Sequence, residues 1–184
     1  MIQPRTAPLA GVILRQAVLE DALCLSVLAM QVFLDTYATN GIRPEIAREV
    51  ISSYSQAVFV DAITDRDSRV IVAEHEAHLI GFAQVTLGAS HELAPPGCQS
   101  ELLRLYVQRP FTGASVGSTL LAAAERASAA SGPAVLWLTP WVHNHRALAF
   151  YSRRAYKDYG LTYFTFEGES HENRVLAKLV AGAA

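Results

Sequence analysis

The stretch from residue 105 to residue 127 constrains the fold more than any other part of the chain. It begins with the apolar run Leu105-Tyr106-Val107 and passes through a turn of Gly, Ala and Ser into an alanine-rich segment. This pattern predicts a strand, a tight loop and a helix, because small residues permit a sharp turn and alanine favours a helix. The first amides of such a helix have no partner within it and lie at its positive end. A segment of this kind can bind phosphate.

Composition indicates one folded domain without a membrane segment. The chain has 184 residues, of which 51% are apolar and 17% charged, and single cores of about 100 to 200 residues are common. No uninterrupted apolar run approaches the roughly 18 residues that a membrane helix needs. Prolines near the N-terminus argue against a secretory signal. We therefore expect a flexible leader over residues 1–10, one domain over 11–184, no membrane partner and a cytoplasmic location.

Charge and cysteine content exclude several classes of function. The formal net charge is −2, so a broad basic surface for nucleic acid is not expected. Cys24 and Cys98 have no spacing typical of a disulfide framework, and His143 and His145 lack a third metal ligand at convincing spacing. No Gly-Lys-Ser/Thr motif is present, and neither cysteine has a placed His partner. The sequence thus predicts no metal site and no P-loop, and it does not favour a covalent hydrolase.

Hydrophobic periodicity predicts alternating strands and helices. The first predicted helix is assigned an apolar face made of Leu23, Val27, Met30 and Leu34. Arg104 interrupts an apolar strand, so we expect it to face solvent or a partner carboxylate. Predicted helices begin near residues 22, 44, 117 and 144, and predicted strands cover residues 13–16, 69–74, 79–87, 101–107, 134–139, 161–167 and 174–179. The predicted order is β-α-α-β-β-β-α-β-α-β-β, an α/β arrangement.

Two blocks of the chain together resemble the GNAT superfamily of acetyl-CoA-dependent N-acetyltransferases. The loop Thr112 to Gly117 stands where the family carries Arg/Gln-x-x-Gly-x-Gly/Ala, with departures at Thr112 and Ser115. The block Asn144 to Tyr151 is similar to the family's Asn-x-x-Ala-x-x-Phe-Tyr signature. Its Trp-Leu-x-x-Trp lead-in resembles a bacterial subgroup that includes polyamine acetyltransferases of the PaiA type.

This resemblance implies both a fold and a cofactor. The fold would be a single α/β (α+β) domain with a mixed, mostly antiparallel sheet, flanking helices and central parallel strands that splay apart. Acetyl-CoA would be the co-substrate, with its pantetheine arm in the gap between those strands. The residues that the resemblance assigns to cofactor binding are Leu105, Tyr106, Val107, Thr112, Gly113, Ala114, Ser115, Val116, Gly117, Ser118 and Asn144.

The resemblance also implies two catalytic residues. Tyr151 stands at the family's frequent general-acid position, where a phenol could protonate the departing thiolate. The alternative for Tyr151 is a packing role on the core face of a helix. Glu101 would act as the general base, directly or through water, and its alternative is a solvated carboxylate at a strand end. Ala155 stands where the family usually has glycine after this helix, so the turn either lacks its left-handed residue or places alanine there at a cost of about 1 kcal/mol.

The predicted reaction is direct transfer of an acetyl group from acetyl-CoA to a primary amine of a small molecule. Acidic residues of the first two helices, Asp35, Glu45 and Glu49, favour a polyamine-like acceptor, although exposed helical carboxylates are often only a solvated face. Peptide N-termini and aminoglycosides remain alternative acceptors.

A non-catalytic acyl-CoA-binding module is the alternative from a different class. It is favoured by the departures at Thr112 and Ser115. We also expect that the terminal strands, Leu161 to Phe166 and Arg174 to Val180, could pair across a homodimer, because strand edges often associate.

Overall fold

The computed structural model describes residues 7–166 and 169–181, so residues 1–6 of the predicted leader and Glu167 of a predicted strand lie outside it. Its helices are α1 (Ala22–Tyr37), α2 (Pro44–Ser53), α3 (Gln56–Thr64), α4 (Val116–Ser128) and α5 (His145–Ser152). Its strands are β1 (Ile13–Gln16), β2 (Ser68–His75), β3 (His78–Leu87), β4 (Gln99–Val107), β5 (Ala134–Leu138), β6 (Lys157–Phe166) and β7 (Glu169–Val180).

The strands form one mixed sheet in the order β1-β2-β3-β4-β5-β7-β6. Strand β4 is parallel to β5, whereas the β1–β2, β5–β7 and β6–β7 pairs are antiparallel. The predicted α/β class and mixed sheet are therefore confirmed. No helix in the described ranges is long and apolar enough to cross a membrane.

The chain divides into two compact units. The first unit comprises the described residues of Met1–Val85 together with Arg104–Ala124. The second comprises Thr86–Leu103 and the described residues of Glu125–Ala184. Strand β4 and helix α4 each contribute residues to both units.

The core of the first unit forms where α1 and α3 pack against β2 and β3. Its buried members are Ala22, Leu25, Leu28, Ala29, Tyr54, Phe59, Ala62, Val70, Val72 and Phe82. The predicted apolar face of α1 is wrong at Leu23 and Val27, which are 56% and 60% exposed, whereas Met30 packs against this core as predicted. Helix α3 was not predicted at all. Ser55 caps this helix, because its side chain accepts a hydrogen bond from the Val58 amide.

The predicted hairpin between β2 and β3 is confirmed. Its two central residues, Glu76 and Ala77, have φ of 49° and 61°. Two successive positive φ angles are typical of the tight turn whose twist suits paired strands. The chain forms this turn without glycine.

The second unit is organised around the fully buried strand β5. Trp137 on this strand packs with Ala94 and Ala177, and its Nε1 donates to the Ala89 carbonyl at 2.9 Å. Strand β6 begins at Lys157 rather than residue 161, and its ladder with β7 shifts register between Asp158 and Gly160. This β-bulge accommodates an extra residue, so the strand continues from Lys157 past Gly160.

The expectation that both terminal strands could pair across a dimer is wrong for Arg174 to Val180. Strand β7, which contains these residues, already hydrogen-bonds β5 on one side and β6 on the other. Strand β6 lies at the end of the sheet order. Only β6 of the two terminal strands is therefore available at an edge.

Candidate active site

The predicted cofactor strand ends at a point where two strands approach closely. Leu105, Tyr106 and Val107 are the last residues of β4 and are partly buried. A Cβ at Gly81 on β3 would lie only 2.7 Å from the Tyr106 carbonyl oxygen, so glycine is required for this approach. Sequence reasoning missed Gly81, although a glycine inside a strand pattern is the usual signal of a close backbone contact.

The loop after β4 is anchored by buried small residues. Ala114 and Val116 are each 2% exposed, and the Ala114 carbonyl accepts a hydrogen bond from the Leu9 amide at 3.2 Å. Between them, Gly113 and Ser115 are exposed and adopt left-handed φ of 81° and 67°. Buried residues therefore alternate with exposed left-handed residues, and this alternation fixes the conformation of the loop.

Thr112 uses its polar groups within the preceding turn. Its amide and its Oγ1 both donate to the Arg109 carbonyl, at 3.2 Å and 2.8 Å. Because family members usually carry Arg or Gln here, the departure at Thr112 replaces a long side chain with a local hydrogen bond.

Helix α4 begins directly at this loop. The Ser115 carbonyl accepts from the amide and from the Oγ1 of Thr119, both at 3.0 Å. Val116, Gly117 and Ser118 are the first three helical residues, and amides at these positions have no acceptor within a helix. The predicted succession of strand, loop and helix is confirmed, with the helix starting at Val116 rather than after Gly117.

The predicted helix cap in the second unit is also confirmed. The Asn144 side chain accepts from the Ala147 amide at 3.1 Å, and the Asn144 amide donates to the Trp141 carbonyl at 2.9 Å. These two bonds fix the start of α5. The bond from the Ala147 amide uses Oδ1 of Asn144, and the side-chain nitrogen of Asn144 is a further donor group.

Tyr151 lies in an aromatic cluster and is 7% exposed. Its ring makes edge-to-face contacts with Phe150 and Tyr156, with centroid distances of 5.1 Å and 5.5 Å. Such contacts orient a ring firmly. The packing role considered for Tyr151 is present, and its role in proton transfer stays a prediction.

Helix α5 ends with alanine in the left-handed conformation. Ala155 has φ of 64°, its amide donates to the Ser152 carbonyl at 3.1 Å, and the Tyr156 amide donates to the Tyr151 carbonyl at 3.2 Å. This pair of bonds is the Schellman motif, in which glycine is usual. The left-handed alanine therefore destabilises this turn relative to glycine.

Tyr156, the last residue of this turn, is held by a hydrogen bond to a carboxylate that also pairs with a lysine. Its hydroxyl donates to Oε1 of Glu125 at 3.1 Å, and Lys178 Nζ donates to the same oxygen at 2.8 Å. Burial, reinforced by the nearby carboxylate, raises the pKa of Tyr156.

Glu101 lies at the last pair of the parallel ladder between β4 and β5. This ladder has three residue pairs and ends where Glu101 opposes Trp137. Glu101 is partly buried. The ladder stops one residue before β5 itself ends at Leu138, and the splay of the central parallel strands stays a prediction.

The predicted site residues fall into two sets. The first unit brings together the end of β4 and the loop from Thr112 to Ser118. The second unit contains Glu101, Asn144 and Tyr151. Within the described residues, no group of three His, Cys, Asp or Glu side chains could hold a metal ion.

Comparison with known proteins gives a family. The model of the acetyltransferase (GNAT) family matches residues 34–156. An uncharacterized N-acetyltransferase of Mycobacterium tuberculosis is 27% identical over 135 residues, which is 71% of this chain and 81% of that protein.

Solved structures share the fold. The PaiA N-acetyltransferase of Thermoplasma acidophilum, in complex with coenzyme A, is 22% identical and superimposes with a TM-score of 0.70 over 91% of this chain and 98% of its own. Arabidopsis thaliana NAA60, in complex with a bisubstrate analogue, is 17% identical, with a TM-score of 0.67 over 94% and 99%. At these identities the likeness establishes the fold and leaves the acceptor open.

Proposed function

Because the chain belongs to the acetyltransferase (GNAT) family, we propose that it transfers an acetyl group from acetyl-CoA directly to a primary amine of a small molecule. The observation that carries the proposal is the loop after β4, where left-handed Gly113 and Ser115 lead into the positive N-terminal end of α4. Coenzyme A in the Thermoplasma relative supports the same co-substrate.

We assign the cofactor contacts mainly to backbone groups. The amides of Gly113 to Ser118 would bind the pyrophosphate, because the positive end of a helix attracts phosphate, and Thr112 would fix the start of this loop through its bonds to Arg109. Leu105 to Val107 would hydrogen-bond the pantetheine arm, with a further bond from the Asn144 side chain. Since every residue type except proline has a backbone N–H group, the substitutions at Thr112 and Ser115 leave this mode of binding intact.

The reaction needs a neutral amine. An amine with a pKa near 10.4 is only about 0.1% neutral at pH 7.4, so a base must accept its proton. We propose Glu101, directly or through one water, for this role. The amine nitrogen then bonds to the thioester carbonyl carbon, and the backbone amide of Leu105 or Tyr106 stabilises the oxyanion. The nitrogen, positively charged after the attack, loses a second proton to solvent. When the carbon–sulfur bond breaks, the Tyr151 phenol gives its proton to the thiolate and regains one from solvent, which yields the neutral amide and the CoA thiol.

We propose a polyamine-like acceptor on the basis of carboxylates on α1 and α2. Asp35 is exposed and Glu49 is partly buried, whereas Glu45 pairs with Arg48 at 3.5 Å. Asp35 and Glu49 therefore carry this preference. The fold similarity to PaiA is consistent with this preference. Because the TM-score with NAA60 is nearly as high, the fold alone does not select the acceptor.

Thiol release tests the function. Purified protein would be given acetyl-CoA with polyamines, aminoglycosides, amino acids and short peptides, and acetyl-CoA binding would be titrated calorimetrically. Turnover with polyamines alone supports the full proposal, and turnover with another class corrects the acceptor. Binding without turnover supports the acyl-CoA-binding module. No binding overturns the proposal.

Replacing Tyr151 by Phe separates enzyme from binding module. We expect turnover to fall about 10²-fold, the usual effect of losing a positioned acid, with acetyl-CoA affinity unchanged. Tyr163→Phe is the control, because Tyr163 is 62% exposed on β6. Equal activity of the two variants would exclude Tyr151 as the acid.

We further propose a cytoplasmic enzyme that forms a homodimer through β6. Tyr163 and Phe164 on this edge strand are 62% and 53% exposed, and exposed apolar edges favour strand pairing. Light scattering after size-exclusion chromatography tests the dimer, and a strict monomer would contradict it.

A further inference from the structure

One half-buried arginine joins three elements of the first unit. Arg104 on β4 donates from Nη1 to Oε1 of the buried Gln84 on β3. From Nη2 it donates to the carbonyl of Ser53, the last residue of α2, at 3.2 Å. Its Cζ lies 5.3 Å from the ring centroid of Tyr54 and 5.5 Å from that of Phe59, distances typical of cation–π contacts. The expected carboxylate partner is replaced by neutral oxygens, two rings and the negative end of α2.

Arg104 and its neighbours hold Tyr54 rigidly. The Tyr54 carbonyl accepts from Ser26 Oγ on α1 at 2.6 Å, and its ring contacts Phe33 with a centroid distance of 5.2 Å. Its hydroxyl shares a 3.0 Å hydrogen bond with the Tyr106 hydroxyl. Tyr54 is only 6% exposed. Carbonyl, ring and hydroxyl are therefore all fixed.

The hydroxyl pair stays neutral. Burial raises the pKa of Tyr54, and burial together with Tyr54 raises the pKa of Tyr106 well above its usual value. Neither hydroxyl ionises near neutral pH, so the bond between them persists.

Tyr106 transmits this anchoring to the backbone of β4. Its ring makes an edge contact with Phe82 at 5.5 Å, while its carbonyl lies against Gly81. With the side chain held from the helices and the carbonyl held from β3, the peptide groups next to Tyr106 have little freedom to rotate. These peptide groups include the proposed oxyanion donors.

We propose that Arg104 and Tyr54 are positioning residues that act through the Tyr54–Tyr106 hydrogen bond to hold the β4 amides in the orientation that stabilises the oxyanion. The inference rests on the proposed acetyl transfer. Donors of this kind must lie at hydrogen-bond distance from the oxyanion in the transition state, and a misplacement of about 1 Å can cost roughly 10²-fold in rate. Loosening the anchor should therefore reduce kcat more than affinity.

Three variants test the inference. Tyr54→Phe removes only the shared hydrogen bond, and we expect kcat to fall about tenfold with the KM for acetyl-CoA within about twofold. Arg104→Met should give a similar fall. Arg104→Lys should recover part of the loss, because lysine can still donate to the Ser53 carbonyl. The control is Arg69→Met, since Arg69 also donates to carbonyls, those of Arg66 and Ser68, without touching Tyr54.

A spectroscopic titration provides a readout independent of turnover. In Tyr54→Phe, tyrosine ionisation followed at about 295 nm should lose the transition of Tyr54 itself, and the transition of Tyr106 should move to lower pH, because Tyr54 contributes to the raised pKa of Tyr106. Loss of the Tyr54 transition without a shift of any remaining transition would overturn the proposed link.

The outcomes separate this inference from the function on which it rests. If the wild-type protein shows no turnover with any amine, the proposed function fails. If it turns over and Tyr54→Phe or Arg104→Met matches Arg69→Met, only the positioning role fails. A loss of kcat explained by a lower melting temperature, with KM rising equally, would also overturn that role.

Discussion

Two turns of the molecule place a residue other than glycine in the left-handed conformation. In the α4 turn (Thr112–Val116), Ser115 has φ of 67°, and in the α5 turn (Arg153–Tyr156), Ala155 has φ of 64°. The family resemblance implies glycine in both places. A residue with a Cβ is less stable than glycine there by about 1 kcal/mol, so both turns carry the same local cost.

The two turns differ in what their backbone groups do. The α5 turn closes a helix, and its amides bond to the Tyr151 and Ser152 carbonyls. The α4 turn opens a helix, where the first amides have no acceptor within the helix. The same φ angle therefore completes the hydrogen bonding of one turn and leads into the positive end of a helix in the other. This difference predicts that the α5 turn affects stability alone and the α4 turn affects ligand binding as well.

Alkaline pH gives the largest expected effect, because buried tyrosines occur both in the first unit, which contains the α4 turn, and in the α5 turn. The pKa values of Tyr54 and Tyr106 in the first unit and of Tyr156 in the α5 turn are raised by burial. A raised folded pKa gives stability that is complete below the unfolded value near 10 and is lost as pH rises. Each such tyrosine costs about 1.4 kcal/mol per pH unit above that value. Urea unfolding at about pH 8 and pH 11 would measure the loss.

Single tyrosine variants show which tyrosine causes the loss of stability at alkaline pH. Tyr106→Phe and Tyr156→Phe should each make stability less sensitive to alkaline pH than in the wild type, whereas the exposed Tyr163→Phe should not. A wild-type slope in Tyr156→Phe would mean that the α5 turn opens and admits water before the protein unfolds.

Valine placed in each turn gives the next largest effect. A β-branched residue is strongly disfavoured at positive φ, so Gly113→Val should lower the free energy of unfolding by about 2 kcal/mol. It should also weaken acetyl-CoA binding at least tenfold in calorimetry, because the loop must move. Ala155→Val should lower stability without weakening binding. Equal losses of affinity in both variants would break the distinction between the turns.

The α4 turn and the start of α5 were located from the sequence because their signals are local, whereas the α5 turn at Ala155 was expected from the family resemblance. Glycine, serine and alanine before an apolar helix defined the α4 turn, and Asn144 before an apolar helix defined the start of α5. Each signal depends on backbone chemistry within a few residues. The same locality explains why the β2–β3 hairpin and β5 were predicted well.

The failures concern long-range packing. Helix α1 is apolar on nearly all sides at its start, so periodicity could not select between Leu23, which is exposed, and Leu25, which is buried. Helix α3 contains Val58 and Val60, which weaken a helical pattern, and depends on burial of Phe59 in the core. The Tyr54–Arg104 contacts join residues far apart in the chain, and no local pattern predicts such a pair.

Removing the cap of α5 tests whether Asn144 contributes to acetyl-CoA binding as well as to stability, and its expected effect is smaller. Asn144→Ala should lower stability by about 1 kcal/mol through loss of the bond from the Ala147 amide, and it should also weaken acetyl-CoA binding severalfold. Ser55→Ala is the matched control, because Ser55 caps α3 and has no proposed ligand contact. If the two variants lose stability and affinity alike, Asn144 is a cap only.

Glycine in each turn gives the smallest effect and the sharpest comparison. Ala155→Gly and Ser115→Gly should each raise the free energy of unfolding by about 0.5 to 1 kcal/mol, because glycine adopts positive φ without strain and this gain exceeds its greater entropy in the unfolded chain. Both can be measured by urea unfolding. Ala155→Gly should leave acetyl-CoA affinity unchanged, since the amides of Ala155 and Tyr156 donate to carbonyls of their own helix. Ser115→Gly should alter affinity, because the freed loop must be ordered again around the pyrophosphate. A gain in stability at Ser115 with unchanged affinity would show that the loop amides are already fixed by Ala114 and Val116, and that the left-handed serine contributes nothing to binding.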